Sequence, residues 1–303
     1  FQQVWTAANT PLTGITDLEV QYSGTFAYSR STNTYYAWGP GVYAGNGQSA
    51  TQYFYATPIT PPPLPDGVTV EQLQVTGRQG DGIWGLTCYV LGSDGRIYVL
   101  GANDRGQAGQ GNTDNLTRWT TVKNTAGTAP LEGVAFISAQ NNTNTLPTPT
   151  VSAVLDDGSL LSWGYNESDM IAIAGSTDGL VKLPSVPTWI NNDVPPVYAV
   201  ESGGHFTSVI AVGKVGQIAA TGHNPGGAFG DGTIKDRKAY ELHPFASTEG
   251  GGLAAACDDS LNDDRGGGPA VNSIVVNERS PYAVFTIDGV PGAGISLLLG
   301  AGG

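Results

Sequence analysis

A two-strand pattern recurs five times along the 303-residue chain and limits what the chain can fold into. Each copy has an apolar strand, a turn rich in glycine and a second apolar strand. An anchor position follows, usually a large residue before glycine. The clearest copies are 88–107 and 152–166, and their turns contain Asp-Gly, a strong hairpin signal between apolar runs. The anchors are Trp38, Leu100, Trp163, Thr221 and Leu299, spaced by 62, 63, 58 and 78 residues.

A proline-containing motif precedes each hairpin, and an alternating apolar strand follows the motif. That strand carries Leu18 and Val20 in the first unit and Leu73 and Val75 in the second. Each unit therefore has about 60 residues and three or four strands, which is typical of one blade of a β-propeller. A blade cannot bury both faces alone, so it needs a neighbour on each side. The motif occurs at Pro11–Ile15, Leu64–Val68 and Pro130–Val134, and more loosely at Pro195 and Pro269.

The two ends of the chain fall inside the same repeat unit. When the motifs are superimposed, the N-terminal segment corresponds to the outer strands that the C-terminal hairpin lacks. We therefore predict an all-β protein, a single β-propeller domain over residues 1–303 with about five four-stranded blades. The N-terminal strands are expected to complete the last blade and close the ring, and seven blades are the alternative. The units are approximately 21–77, 78–138, 139–200, 201–276, and 277–303 together with 1–20.

The composition excludes some classes of partner. Only 13% of the residues are charged, and the formal net charge is −13. A binder of nucleic acid or of anionic lipid needs a basic surface, so we expect neither partner. No run of 18 apolar residues is present, so we expect no membrane span. The chain begins at Phe1 without a methionine, from which we expect a processed product or a fragment.

The sequence lacks the motifs of common catalytic sites. It has no nucleophile elbow, no phosphate-binding loop and no paired cysteines for zinc. We therefore predict that the protein is not an enzyme and has no cofactor and no metal. Cys88 is either a buried free thiol or bonded to Cys257, and the acidic loop 258–264 is either a solvated insertion or a calcium site. A glycan-active enzyme is a lesser alternative, with carboxylates in the centre of the ring at Glu19, Glu71 and Glu201.

Several stretches resemble the regulator of chromosome condensation repeat. In that repeat an Asp-Gly turn precedes a strand ending in Trp-Gly, Asn stands two residues on, and a glycine-rich loop follows. The chain is similar to a divergent bacterial or phage-type member of that family. The resemblance implies a β-propeller that binds protein partners through loops on one face. The matching residues are Asp94, Gly95, Leu100 (in place of Trp), Gly101, Asn103, Gly106, Gln107, Gly109, Gly111, Asp157, Gly158, Trp163, Gly164, Asn166, Gly203, Gly204, His205, Gly222, Asn224, Gly227, Gly230 and Gly232.

The family resemblance implies a fold and leaves the function open. Its members include an exchange factor for a small nuclear GTPase, a secreted bacterial β-lactamase inhibitor and a plant light sensor. This sequence lacks the basic tail of a chromatin binder and the dense tryptophan clusters of the light sensor. Rings in the family usually have seven blades.

Aromatic residues in the segments between the hairpins are candidates for binding a partner. Such side chains are typical anchors in contacts with proteins and sugars. The alternative is that they pack between blades or against the outer strands. The aromatic residues outside the hairpins are Tyr43, Tyr53, Phe54, Tyr55, Trp119, Trp189, Phe229 and Tyr240, and the five candidates singled out are Tyr43, Tyr55, Trp119, Trp189 and Phe229.

These features favour a non-enzymatic binding or structural module, exposed on a virion or on an extracellular surface. On a virion it would be a phage tail, fibre or capsid-associated protein, and outside a cell it would be an adhesin. Its partner would be a protein of a larger assembly or a host-surface receptor, either protein or glycan, recognised through propeller loops. A homo-oligomer is compatible with this hypothesis. The alternative is a secreted propeller that inhibits or regulates a partner enzyme.

Overall fold

The computed structural model describes most of the first 242 residues and three later strands. Its described residues form 21 β-strands and no α-helix. Among them, no helix is long and apolar enough to cross a membrane. The described ranges are 2–21, 24–80, 83–140, 149–166, 169–174, 179–190, 194–202, 206–211, 217–224, 229, 233–242, 271–276, 282–287 and 294–298.

Four consecutive antiparallel sheets of four strands each form the body of the molecule. Strands of each sheet are hydrogen-bonded in chain order, as in propeller blades. The prediction of an all-β fold built from four-stranded repeats is therefore confirmed. Two short strands precede the first sheet, β1 (Trp5–Ala7) and β2 (Thr10–Pro11). Blade 1 has β3 (Asp17–Gln21), β4 (Gly24–Ser29), β5 (Thr34–Val42) and β6 (Thr51–Ile59); blade 2 has β7 (Val70–Gly80), β8 (Ile83–Gly92), β9 (Ile97–Gly101) and β10 (Leu116–Thr121).

The later sheets continue the same order. The fifth sheet has three described strands, so the number of sheets agrees with a ring of five to seven blades. Blade 3 has β11 (Val134–Gln140), β12 (Thr150–Leu155), β13 (Leu160–Tyr165) and β14 (Leu180–Ser185); blade 4 has β15 (Val197–Ser202), β16 (Phe206–Ala211), β17 (Gln217–Gly222) and β18 (Arg237–Leu242); the fifth sheet has β19 (Val271–Val276), β20 (Tyr282–Ile287) and β21 (Gly294–Leu298).

The hairpin turn of one blade contacts the proline motif at the start of the next blade. The carbonyl oxygen of Gly95, in the turn of blade 2, accepts a hydrogen bond of 3.0 Å from the backbone N–H of Val134, where blade 3 begins. The carbonyl oxygen of Gly158 accepts a bond of 2.8 Å from the N–H of Val197 in the same way. Each turn therefore holds the first strand of the next blade, which explains why both motifs recur with one spacing.

A glycine follows the anchor residue because the second strand of the blade passes close to the glycine. Gly101 and Gly164 have φ values of 126° and 101°, in a region that other residues rarely adopt. A Cβ atom at Gly101 would also collide with the carbonyl oxygen of Leu86, and one at Gly164 with that of Pro149. The glycine thus permits close pairing of the second and third strands of the blade.

The hydrophobic core lies between the blades in three clusters. The first strands of blades 1 to 4 contact one another in order, so they form the inside of the ring. The anchors Leu100 and Trp163 are both buried. Cys88 is a buried free thiol whose pKa is raised by burial, while Cys257 lies outside the described residues. The clusters contain Phe26, Tyr35, Leu73 and Val75 between blades 1 and 2; Tyr89, Ile97, Ile137 and Trp163 between blades 2 and 3; and Val154, Leu160, Val200 and Tyr240 between blades 3 and 4.

The N-terminal strands differ from the prediction that they complete the last blade. β1 and β2 pair with each other, and β1 lies against β6 on the outer side of blade 1. The cause is a tight turn in which Asn9 has a φ of 63°, a conformation that asparagine tolerates. A backbone bond of 2.8 Å from Leu12 N–H to the Val4 carbonyl oxygen closes this hairpin. The N-terminal strands therefore form a separate two-stranded sheet that packs against blade 1, and the described partner of β21 is β20.

Candidate binding surface and central channel

Three of the five aromatic residues predicted to bind a partner are buried. Trp189 stacks on Tyr240 with ring centroids 5.0 Å apart, and Tyr43 belongs to the cluster between blades 1 and 2. Phe229 is also buried, and the Arg237 guanidinium lies 5.4 Å from its ring centroid. In this arrangement these side chains stabilise the contacts between blades and loops, so none of them can serve as an exposed anchor.

The other two predicted residues lie on outer strands. Trp119, on β10, is half-buried; its ring packs against Phe26, and its Nε1–H donates a 2.6 Å hydrogen bond to the Thr60 carbonyl oxygen. Trp119 thus ties blade 2 to blade 1. Tyr55, on β6, is exposed. The structure does not bring the five residues together, and Tyr55 is the one of the five that is exposed.

Two further exposed aromatic residues lie with Tyr55 on the outer side of blade 1. Phe54, the preceding residue of β6, is 81% exposed. Trp5 is also exposed and lies on β1, the strand that packs against β6. We call Trp5, Phe54 and Tyr55 the aromatic rim. Phe54 was one of the aromatic residues that the sequence placed outside the hairpins, in the run of three aromatic residues at 53–55, but it was not among the five singled out.

The loops that follow β9, β13 and β17 share one internal bracing. The Oδ1 atom of the asparagine two residues past the glycine accepts a bond from the N–H five residues later: Ala108 to Asn103 at 2.8 Å, Ile171 to Asn166 at 3.2 Å and Phe229 to Asn224 at 3.1 Å. The Nδ2 atom of each asparagine donates to another carbonyl oxygen of the same loop. The repeated asparagine therefore has a structural role.

Loops at this end of the ring also bond to the next blade. Gly47 N–H donates to the Thr117 carbonyl oxygen at 2.9 Å, and Gly111 N–H donates to that of Lys182 at 2.8 Å. Thr221 Oγ1, on blade 4, donates to the carbonyl oxygen of Asp169 in the loop of blade 3 at 3.3 Å. The loops of blades 2 and 3 are thus fixed both at their base and to the next blade. The result is a rigid end surface, and a rigid surface loses little conformational freedom when it binds a partner.

Two ion pairs lie at the same end. His223 Nδ1 is 2.9 Å from Asp236, and Lys238 Nζ is 3.1 Å from Asp169. The hydrogen bond from the Asn224 N–H to Asp236 lowers the pKa of that carboxyl, and His223 lowers it further. The carboxylate is thus held ionised at the end surface. His223 and Asp236 are both exposed, so the pair gives little to stability.

On the inside of the ring, glutamine side chains of blade 2 form hydrogen bonds with backbone groups of the first strand of blade 3. Gln72 on β7 bonds to both backbone groups of Ile137 on β11, accepting from N–H at 3.1 Å and donating to the carbonyl oxygen at 2.7 Å. The N–H of Ala139 donates to Gln74 Oε1 at 2.9 Å. These bonds satisfy edge groups that would otherwise face the channel unpaired. They also fix the relative height of blades 2 and 3.

The channel contains two carboxyl groups with raised pKa values. Glu19 stands on β3 and Glu201 on β15, the first strands of blades 1 and 4. Burial and, to a smaller extent, the nearby charge of Glu201 raise the pKa of Glu19 to about 7. Burial also raises the pKa of Glu201 to about 7: solvent reaches its side chain, but the surrounding strands displace most of the bulk water.

The third carboxylate considered for a glycan-active enzyme lies apart from Glu19 and Glu201. Glu71 is exposed at the start of β7, where it accepts a 3.0 Å bond from the hydroxyl of Thr69. Its charge acts on Arg30, at the end of the blades where the hairpin turns lie. The three candidate carboxylates are therefore not one cluster. Within the ranges that the structure describes, no group of three or more His, Cys, Asp or Glu residues could hold a metal ion, and loop 258–264 lies outside them.

Known proteins are similar to this chain in sequence and in fold. The ultraviolet-B receptor UVR8 of Arabidopsis thaliana is 24% identical over 222 residues, which cover 70% of this chain and 42% of the receptor. Yeast RCC1 (Prp20), in its structure bound to Kap60, matches with a TM-score of 0.54 and 19% identity over 79% of this chain and 50% of Prp20. The fold is an RCC1-like β-propeller.

A second structure of Prp20p from Saccharomyces cerevisiae agrees with this assignment. Its TM-score is 0.51, with 16% identity over 80% of this chain and 55% of that one. No family model matches the sequence. The chain spans about half the length of the relatives that it matches. These similarities establish the RCC1-like propeller fold and leave the partner open.

Proposed function

We propose that this RCC1-like propeller is a non-enzymatic binding module that engages a protein or glycan partner. The observation that carries the proposal is the exposure of Phe54 at 81% on the outer strand β6, where the pairing with β5 is irregular; Tyr55 is the next residue, and Trp5 is exposed on the adjoining strand β1. Scattered exposed apolar residues are ordinary, but a group of aromatic side chains on one edge is typical of interaction sites. Aromatic rings supply a large contact area at a small cost in conformational entropy.

The surroundings of the aromatic rim suit this role. β6 is the outermost strand of blade 1, and the loop before it is fixed to blade 2 by the bond between Gly47 and Thr117. The rim therefore stands on a rigid support and needs little rearrangement to bind. Its location on a virion or an extracellular surface is part of the proposal. Low charge, one methionine and a rigid β scaffold support that location by association.

A second candidate is a soluble regulator that caps a partner protein. The relatives favour it, since Prp20 was solved bound to Kap60 and Prp20p was studied for its binding to Gsp1p and histones. The secreted inhibitor of a partner enzyme belongs to this class. A stable complex with one soluble protein, in place of attachment to a surface, would favour this candidate.

The test compares the fluorescently labelled chain with two variants on intact particles and cells of its source. We expect saturable binding of the unaltered chain and a loss of affinity of at least about tenfold in Phe54→Ser/Tyr55→Ser, since central aromatic anchors dominate binding energy. Ile234→Ser is the control, because Ile234 is 72% exposed and lies on blade 4. Equal binding of all three proteins would overturn the assignment of the aromatic rim.

A further inference from the structure

Both strands that carry the aromatic rim belong to segments without charged side chains. Segments 1–16 and 31–65, which contain β1, β2, β5 and β6, have no Asp, Glu, Lys, Arg or His. At the chain's average of 13% charged residues, segments of this combined length would carry about seven. The net charge of −13 comes from the rest of the sequence. The aromatic rim therefore stands on electrically neutral strands of an acidic protein.

A bulge in β6 turns two consecutive aromatic residues toward solvent. The three residues 54–56 of β6 stand opposite one residue of β5, Trp38. In a regular strand successive side chains point to opposite faces, and a bulge interrupts this alternation. Phe54 and Tyr55 are accordingly both exposed, and Ala56 is buried. The bulge thus presents two adjacent rings on the same side of the blade.

Hydrogen bonds hold the bulge and the end of its strand. Thr57 Oγ1 donates a 2.9 Å bond to the carbonyl oxygen of Tyr55, directly after the bulge. The N–H of Thr60 donates a 2.9 Å bond to the Ala44 carbonyl oxygen, and the Thr60 carbonyl oxygen accepts the bond from Trp119 of blade 2. The backbone under the two rings is therefore fixed before a partner arrives, which lowers the entropic cost of binding.

The exposed polar groups beside the rings are neutral as well. Thr51 and Gln52 are exposed at the start of β6, and Tyr55 adds a phenol hydroxyl. Hydroxyl and amide groups both donate and accept hydrogen bonds, as the hydroxyl groups of a sugar do. A sugar ring also has C–H groups on its faces, which can lie on the electron-rich face of an aromatic ring. Exposed rings beside neutral polar groups therefore match the two kinds of surface of a sugar.

Other partners require charged or softer side chains at the site. Nucleic acids, anionic lipids and acidic sugars are bound through Lys and Arg. Protein interfaces combine aromatic residues with Arg and Met, and complementary charges orient the two proteins. Here the Arg118 guanidinium lies beside Gly47 in the loop before β6, and the single methionine, Met170, is buried between blades 2 and 3. We infer that the aromatic rim binds a neutral glycan, an inference that rests on the binding role proposed above.

Competition by sugars tests the chemistry of the partner. Oligosaccharides are released from the particles and cells to which the labelled chain binds, and ion exchange separates them into neutral and charged fractions. We expect the neutral fraction to compete for the chain, and periodate oxidation of the surface, which cleaves the diols of sugars, to lower binding at least about tenfold. Competition by the charged fraction alone would overturn the inference. Binding that survives periodate and is removed by a protease would indicate a protein partner.

Two variants of opposite charge at one exposed position test the neutrality of the partner. Gln52→Glu and Gln52→Lys should change the affinity in the same direction, because a neutral glycan attracts neither charge. Raising the salt concentration from about 50 mM to about 500 mM should change the affinity of the unaltered chain less than about twofold. If one variant binds more tightly and the other more weakly, and salt lowers the affinity, the partner is charged and the inference is wrong.

The variant Phe54→Ser/Tyr55→Ser separates the two levels of the proposal. If it binds as the unaltered chain does, or if the unaltered chain does not bind at all, the aromatic rim is not a binding site and the proposed function fails together with the glycan. If it loses binding and the neutral fraction does not compete, the rim is a binding site and only the glycan is wrong. Loss of binding together with competition by the neutral fraction supports both.

Discussion

Replacing Trp163 with alanine is expected to lower the free energy of unfolding by about 3–5 kcal/mol, because the change empties a large space in a core that is packed on all sides. Trp163 is fully buried in the cluster between blades 2 and 3. Its Nε1–H also donates a 2.7 Å hydrogen bond to the Gln107 carbonyl oxygen, in the loop of blade 2. The substitution therefore removes packing within blade 3 and a link to blade 2 at once.

The measurement is a thermal melt of the full chain, with a fall in the melting temperature of about 6 °C or more. Trp163→Leu should recover part of the loss, since Leu100 occupies the equivalent anchor of blade 2 and is buried there. Trp5→Ala is the control: Trp5 is exposed on the N-terminal hairpin, so its loss should have little effect on the melting temperature. A small effect of Trp163→Ala would mean that the cluster between blades 2 and 3 does not limit stability.

The sequence predicted the repeat because its signals are local. The Asp-Gly turn at 94–95 and the apolar runs on either side of it specify β8 and β9 without reference to any distant residue. The glycine after each anchor could also be recognised, although its reason lies in the close approach of another strand. The path of the N-terminal strands was harder to predict. The φ of 63° at Asn9 closes them on each other, and one asparagine in a polar segment is a weak turn signal.

Burial of the aromatic residues depended on distant contacts. Trp189 stands in a segment between strands, which made it a candidate for binding, but Tyr240 covers it from 51 positions further along the chain. Phe54 and Tyr55 are neighbours in a sequence that does not reveal which of them is more exposed. A linear pattern identifies aromatic residues outside the hairpins, and only the packing of neighbouring blades decides which of them reach solvent.

The pair Glu19 and Glu201 predicts how stability depends on pH. Both carboxyl groups have a pKa of about 7 in the folded protein and 4.5 as the ordinary value. Between these values the folded state holds more protons than the unfolded state, so stability falls as pH rises through this interval. The stabilising contribution is complete below about pH 4.5 and is lost above about pH 7. Carboxyls whose pKa is lowered, such as Asp157 and Asp236, change charge below this interval and do not cancel the effect.

Melting temperatures at pH 5, 6, 7 and 8 test this prediction with Glu19→Gln/Glu201→Gln. Glutamine keeps the size of the side chain and removes the charge, so the double variant should melt several degrees above the unaltered chain at pH 8 and equal it near pH 5. Glu71→Gln is the matched control, because Glu71 is exposed and lies apart from the pair. If the double variant keeps the pH dependence of the unaltered chain, or if Glu71→Gln removes that dependence, Glu19 and Glu201 are not its cause. Success would place both carboxyls in a confined channel, which requires blades 1 and 4 to stand close together.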